Sequence, residues 1–251
     1  RYEAGGVSVL GGVMMDSLAT DHRGVMRPSD ITAAIKPDDL HCPISRLLCL
    51  ENTVYGHVHD VEHINALAAA AKARELLVHL DGARLMNAAV KLGVPARIIV
   101  KAVDSVSLCL SKGLGTPAGS VLVGSRVFIE RARRMRKLVG GGMRQVGILA
   151  AAGLYALDHH IERLAVDHAN ALRLADQLNR IDKIEVKKDL VETNMVFMKL
   201  PAGSTEPLRK YLSERGILLG GGERTIRIVT HLNIDVDAVD QLAIEINNFF
   251  G

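Results

Sequence analysis

A single lysine closes an apolar stretch. Residues 105 to 116 run S-V-S-L-C-L-S-K-G-L-G-T, so Lys112 follows a buried-strand pattern and precedes two glycines, Gly113 and Gly115. Ligands of open α/β sheets gather outside the carboxyl ends of the strands, and this spacing places the Lys112 amine in such a crevice. An amine there can form a Schiff base with a carbonyl cofactor, because desolvation lowers its pKa toward the free nucleophilic form. A solvated surface lysine is the competing reading. A second strand-like run, L-L-V-H-L, ends in D-G-A-R, which puts Asp81 at a carboxyl edge and Arg84 one turn into the next helix. Asp81 could cap that helix with Arg84 as its ion partner. It could equally pair with the protonated pyridine nitrogen of pyridoxal phosphate and keep that ring an electron sink. Together, Asp81 and Lys112 make pyridoxal phosphate the economical cofactor.

These side chains need strands and helices to hold them. Short β-branched or leucine-rich runs alternate with longer helical patterns, the signature of βα units and a largely parallel sheet. Strands are predicted over 7–13, 46–51, 76–80, 105–110 and 119–124, with an alanine-rich helix over 64–74 and another over 83–93 that stops on Gly93. A basic helix over 127–137 ends at Gly140, Gly141 and Gly142, which mark a break before a long helix beginning near Met143. Beyond about residue 180 the pattern becomes I-E-V, M-V-F-M-K-L, a helix near 205–215, I-L-L, T-I-R-I-V-T and a helix from Asp235. Residues 1–160 are thus expected in a large domain, and 161–251 in a helical connection plus a small α+β domain.

The 251 residues carry 31 Lys plus Arg against 28 acids, a slight net charge of +3, and no Lys/Arg block marks a nucleic-acid or membrane footprint. A small-molecule substrate fits better. No apolar run approaches the roughly 20 residues that span a bilayer, and no signal peptide opens the chain. Cys42, Cys49 and Cys109 lack paired spacing and lie in or beside apolar runs, which predicts buried thiols in a reducing, cytoplasmic setting. No metal site is expected.

The segments L-E-N-T, H-L-D-G-A-R-L-M-N-A, L-C-L-S-K-G-L-G-T-P-A-G-S-V-L-V-G, G-G-G-M-R-Q-V-G-I-L-A-A-A-G and I-R-I-V-T-H together resemble the low-specificity threonine aldolases, which belong to the fold type I pyridoxal-phosphate enzymes. The resemblance covers essentially the whole chain. It implies an aspartate-aminotransferase-like α/β large domain with a mostly parallel central sheet, plus a small C-terminal α+β domain. It implies Lys112 as the Schiff-base lysine, Asp81 as partner of the pyridine nitrogen, and Arg84 between cofactor and substrate carboxylate. Arg227 would be the second arginine on that carboxylate, a task suited to its planar fork of donors; a solvated charge on a strand is the alternative. Lys137 and Arg144 match family positions that reach the cofactor phosphate of a neighbouring subunit, with a surface basic cluster as the competing reading. A homo-oligomer, dimer or tetramer, is implied too. The implied reaction is retro-aldol cleavage of L-threonine, L-allo-threonine and related β-hydroxy-α-amino acids to glycine and an aldehyde. Two rivals stand beside it: another fold type I enzyme (a β-eliminating lyase, aminotransferase or transaldolase), or a non-catalytic homologue acting as an interaction subunit.

Two departures from the family pattern carry expectations of their own. Family members commonly continue E-N-T with histidine and asparagine, whereas this chain has Val54 and Tyr55. Valine cannot move a proton, which implies reduced or altered threonine cleavage and a more apolar pocket around the β-substituent. His57 and His59 follow, and their alternating spacing predicts solvent-facing side chains. Threonine aldolases also begin about 80 to 100 residues before the position of Arg1, the scale of structure a large α/β domain needs. That segment carries an S-G-T phosphate cup, a histidine stacked on the ring and an aromatic reaching a neighbouring subunit. Weak or no cofactor binding by residues 1–251 alone is therefore expected.

Overall fold

The computed structural model describes residues 3–251. Its amino-terminal stretch carries α1 (Gly6–Gly11) and α2 (Pro28–Ala34). There follow β1 (Leu47–Glu51), α3 (Val61–Lys72), β2 (Leu77–Asp81), α4 (Leu85–Leu92), α5 (Ala96–Ile99), β3 (Ser105–Cys109) and β4 (Ser120–Gly124). Three helices, α6 (Arg126–Leu138), α7 (Gly147–His159) and α8 (Leu164–Leu178), lead into β5 (Glu185–Val186), β6 (Met195–Lys199), α9 (Thr205–Ser213), β7 (Thr225–Val229) and α10 (Val236–Phe250).

The first sheet has the order β1-β2-β3-β4, with β1, β2 and β3 parallel and β4 antiparallel to β3. Alternation decides which face is buried: Leu48, Leu50, Val78, Leu80, Val106 and Leu108 point into a core with Ile64, Leu67 and Ala71 of α3 and Leu85 and Ala88 of α4. The Asp60 side chain starts α3 by accepting the His63 N–H at 2.7 Å, and Gly93, at φ +66°, ends α4. A second, antiparallel sheet, β5-β6-β7, packs Val196, Met198 and Ile226 against α8, α9 and α10. Helix α8 belongs to both cores, since Leu164 sits in the first while Ala171, Leu174 and Leu178 sit in the second.

Three expectations need correction. Residues 7–11 lie in the exposed helix α1 and 12–13 are irregular, so no strand forms over 7–13. A strand needs a partner for its backbone groups, and with none beside it the segment satisfies them internally as a helix. The I-L-L run at 217–219 is irregular. The thiols are not buried: Cys49 is exposed on the open face of β1, and Cys42 and Cys109 are half-buried.

One histidine ties acid stability to this packing. Asn87 Nδ2–H donates to His168 Nε2 at 3.1 Å, so that nitrogen must stay unprotonated. Burial, helped by Lys91 and opposed by Asp167, pushes the His168 imidazolium down to about 4. Its folded-state pKa lies below the unfolded value, so its contribution is fully present above the ordinary histidine pKa and is lost as pH falls toward about 4, up to about 3 kcal/mol. Unfolding followed from about pH 7.5 to 4.5 is expected to show this loss in the wild type and a flatter profile in His168→Gln. Equal slopes would show that His168 is not the titrating group.

Candidate active site

Parallel pairing brings Glu51, Asp81 and Ser107 into one row at the carboxyl ends of β1, β2 and β3. Past β2 the chain turns at once. Gly82 N–H donates to the Ser107 carbonyl at 2.8 Å, and a Cβ on Gly82 would lie 2.9 Å from that same oxygen. Only glycine fits there without moving the strand. Asp81 Oδ1 accepts the Ala83 N–H at 2.9 Å, which leaves Oδ2 free at the sheet edge. Arg84 occupies the N-cap position of α4, so Asp81 is not itself the cap.

Arg84 is half-buried, and its Nε is buried without a hydrogen-bond partner. Burial is the main force lowering its pKa, and Arg227 is the second; Cys109, Glu51 and Asp81 oppose them. Arg227 reaches this place from β7 in the other sheet, where it pairs with Phe197 of β6. Arg227 is thus close enough for its charge to act on Arg84, and two guanidiniums at one edge can hold a carboxylate, which accepts paired N–H donors. Burial and Asp81 raise the Glu51 pKa, while Lys112 and Arg84 lower it. Glu51 thus belongs to the same charge cluster, although no role is implied for it by the sequence. The signal that singles out Asp81, a carboxylate closing an apolar strand, applies equally to Glu51 in L-C-L-E.

The loop carrying Lys112 is closed by Thr116 N–H to Leu110 O at 3.2 Å and Gly115 N–H to Lys112 O at 2.9 Å. His160 Nδ1 donates to the Leu114 carbonyl at 2.7 Å. A Cβ on Gly113 would lie 2.9 Å from Leu164 Cδ2 and 3.2 Å from Asn87 Oδ1, and Gly115 holds φ at +73°. The glycines after Lys112 let the loop press against α4 and the start of α8, while Lys112 itself stays exposed.

Lys137 and Arg144 stand apart. Both are exposed, Lys137 lies over the Gly142 backbone, and neither is among the charges acting on Glu51 or Arg84.

The V-Y-G-H stretch is a hairpin turn. Val54 N–H donates to His57 O at 3.0 Å, His57 N–H returns to Val54 O at 2.8 Å, and Tyr55 and Gly56 both have positive φ, 51° and 88°. That is the type I′ geometry, which asparagine and glycine favour; a side chain such as tyrosine costs about 1–3 kcal/mol there. The segment before β6 holds the turn: Thr193 Oγ1–H donates to Gly56 O at 2.7 Å, and Glu192 Oε2 accepts Val58 N–H at 2.7 Å. Glu192 also pairs with Arg23 and lies 3.6 Å from His57 Nδ1. His57 and His59 are each 6 % exposed, which corrects the solvent-facing expectation. Alternation assumes a strand, and here the turn reverses the chain beneath the 192–195 segment. Burial accordingly lowers the pKa of both rings. Val54 packs on the backbone of Gly24, where a Cβ would come within 2.4 Å of its Cγ1. A cavity of about 850 Å³ opens beside the turn, and Tyr55, Phe197, Arg227, Thr230 and His231 are among its lining. Neither His57 nor His59 lines it. Among the described residues, no group of His, Cys, Asp and Glu could hold a metal, and no helix is long and apolar enough to cross a membrane.

A solved threonine aldolase from Leishmania major superposes with a TM-score of 0.73 at 18 % identity, over 93 % of this chain and 70 % of that one. The architecture is the α/β fold of the fold type I pyridoxal-phosphate enzymes, with a mostly parallel sheet and a small antiparallel one. The family model for beta-eliminating lyases matches residues 1–201. The low-specificity L-threonine aldolase 1 of Arabidopsis thaliana is 47 % identical over 247 residues, 95 % of this chain and 69 % of the relative. The low specificity L-threonine aldolase of Escherichia coli K12 is 40 % identical over 242 residues, 96 % of this chain and 72 % of the relative. The chain therefore belongs to the threonine aldolase family of carbon–carbon lyases, which is pyridoxal-phosphate-dependent.

The hydrogen bond from His160 should steady the Lys112 loop. His160→Ala is expected to lose about 1 kcal/mol of stability and to speed hydrogen exchange at the Gly115 and Thr116 amides. His160→Asn, whose amide can donate from a similar position, should restore both. Unchanged exchange in His160→Ala would show that the contact does not hold the loop.

Proposed function

We propose that this chain is a pyridoxal-phosphate-dependent aldehyde-lyase that cleaves β-hydroxy-α-amino acids, L-threonine and L-allo-threonine among them, to glycine and an aldehyde. The observation that carries the reading is the unpartnered, buried Arg84 Nε beside Arg227, with Asp81 and Lys112 at adjoining strand ends. These residues fit the cofactor's reactive end: a primary amine for its aldehyde and a carboxylate with one free oxygen for its pyridine nitrogen. When bound, pyridoxal phosphate supplies a sink for the electron pair left on Cα as the Cα–Cβ bond breaks.

The chain's own residues do the rest. Lys112 Nζ would hold pyridoxal phosphate through its aldehyde, and Asp81, with Oδ2 unengaged, would pair with its ring nitrogen. Arg84 and Arg227 clamp the amino acid's α-carboxylate, fixing which Cα bond stands ready to break. Glu51 supplies a negative neighbour that keeps the two cations tolerable before substrate arrives. Position 54 offers no acceptor for the β-hydroxyl proton, which supports reduced threonine cleavage. A second copy of the chain is part of the reading. Val121 and Val123 of β4, Leu138 of α6 and Ile148 and Leu154 of α7 are exposed apolar side chains, and Lys137 and Arg144 stand free to meet a neighbour's phosphate.

Titration of the protein with pyridoxal phosphate is expected to give a visible absorbance band that Lys112→Ala abolishes together with glycine release. Asp81→Asn should keep the protein folded and lower cleavage about a hundredfold. No band and no glycine from either isomer would sink the proposal and leave the interaction-subunit reading. Mixing Lys112→Ala with a Lys137→Ala/Arg144→Ala double variant tests the shared site: recovered activity supports it, and strict additivity removes it.

A further inference from the structure

We propose that Asn87 is a positioning residue for Lys112: wedged between the lysine loop and His168, its amide fixes where the loop backbone lies and so where the Lys112 amine is presented. This rests on the reading of Lys112 as the residue that takes the cofactor's aldehyde, and adds what holds it in place.

Asn87 is a 2 % exposed amide on α4, among the core residues Leu85, Ala88 and Ala89. Such a group is costly to bury unless its polar ends are matched. Its two ends point different ways. Nδ2 donates to His168 Nε2 at 3.1 Å, across to α8. Oδ1 is turned to the lysine loop, since a Cβ built on Gly113 would lie 3.2 Å from Oδ1 and 3.8 Å from Nδ2. The first contact decides the second. An amide has one donor end and one acceptor end, so a histidine nitrogen that accepts draws the NH2 group and leaves the oxygen facing Gly113.

Gly113 directly follows Lys112. Without a side chain it lets the backbone come down on Asn87 Oδ1 and on Leu164 Cδ2, the latter 2.9 Å from the same Cβ position. Beyond it the loop is tied by Gly115 N–H to Lys112 O at 2.9 Å and by His160 Nδ1 to Leu114 O at 2.7 Å. Lys112 itself is exposed, so the backbone beneath it, and not packing around its stem, sets where the amine starts. Asn87 also lies three residues past Arg84, the N-cap residue of α4. One helix therefore presents the arginine and supports the lysine.

The test treats the protein with pyridoxal phosphate, traps the imines formed with borohydride, and measures by peptide mass how much faster Lys112 is modified than the exposed Lys101 and Lys210 of the same molecule. Those two lysines cancel any general loss of stability. Wild type is expected to favour Lys112. Asn87→Ala should cut that ratio about fivefold, the effect of about one hydrogen bond, and speed exchange of the Gly115 amide similarly while β6 amides keep the wild-type rate. His168→Leu removes the acceptor and leaves Asn87 in place, so it should act in the same direction. His168→Gln, whose amide oxygen can accept, should keep the wild-type ratio. An unchanged ratio in Asn87→Ala, or equal ratios in the two His168 variants, overturns the inference, and the His168 pair decides if Asn87→Ala does not fold. Acceleration at β6 as large as at Gly115 overturns it too, because the amide would then serve stability alone. If wild type shows no preference for Lys112, the lyase reading fails, and the Gly115 exchange rates still decide what Asn87 holds.

Discussion

The structure depends on the register of three parallel strands. Leu48 and Leu50, Val78 and Leu80, and Val106 and Leu108 all face the helices, so the alternate residues, Glu51, Asp81 and Cys109 among them, must face the other way. A slip of one residue would exchange the two sets, burying a carboxylate and exposing leucine. Burial of the apolar set is worth roughly 1.5–3 kcal/mol per fully buried side chain, far more than any single contact at the site. The active-site edge is thus positioned by residues that take no part in chemistry. The turn after β2 inherits this precision, since Gly82 is tied to Ser107 of the adjoining strand.

A second constraint sets the antiparallel sheet against α8, and with it the position of Arg227. Asp167 is fully buried in α8, and Arg163 satisfies it through both terminal nitrogens at 2.5 and 3.1 Å. The Asp167 carbonyl accepts the Thr230 hydroxyl at 2.6 Å, and Asn194 Nδ2 donates to the Thr230 carbonyl at 3.0 Å. Thr230 directly follows β7, so this buried network fixes where that strand, and Arg227 on it, lies relative to α8. Displacing β7 would leave the buried Thr230 hydroxyl, the Asn194 amide and their carbonyl acceptors unpaired, which makes alternative placements costly. The start of α8 also presses Leu164 against Gly113, so one helix positions both the lysine loop and the arginine strand.

Much of this was legible in the residues. Periodicity located β1, β2, β3, α3 and α4, because each buries a face whose spacing shows in the chain, while β4 and α6 were legible from composition although neither buries a face. Lys112 and Asp81 stood out because each closes an apolar run with a charge. Arg227 required the family resemblance, since T-I-R-I-V-T reads equally as a strand with an outward arginine. What stayed hidden depends on long-range contacts. The 7–13 segment has strand-like composition but no neighbouring strand. The burial of His57 and His59 comes from Glu192 and Thr193, more than 130 residues away in sequence. Glu51 escaped because its importance lies in being beside Asp81, a fact of register and not of local sequence.

The turn at 54–57 shows how local cost and distant contact combine. Judged by propensity alone, tyrosine at a left-handed position argues against a tight turn, and the strand-like alternation V-Y-G-H-V-H argues for an extended run. The segment before β6 overrides both, since the Thr193 hydroxyl and Glu192 carboxylate take polar groups that only the turned backbone presents. Two such hydrogen bonds, one of them to a charged group, offset a strain of 1–3 kcal/mol and leave a small surplus. A glycine or asparagine at position 55 would meet the same demand without the strain. Local rules in natural proteins fail chiefly where a site requires it, and this failure stands on the rim of the cavity that Arg227 lines. Contacts more than 130 residues away in sequence therefore explain a turn that local propensity would not produce.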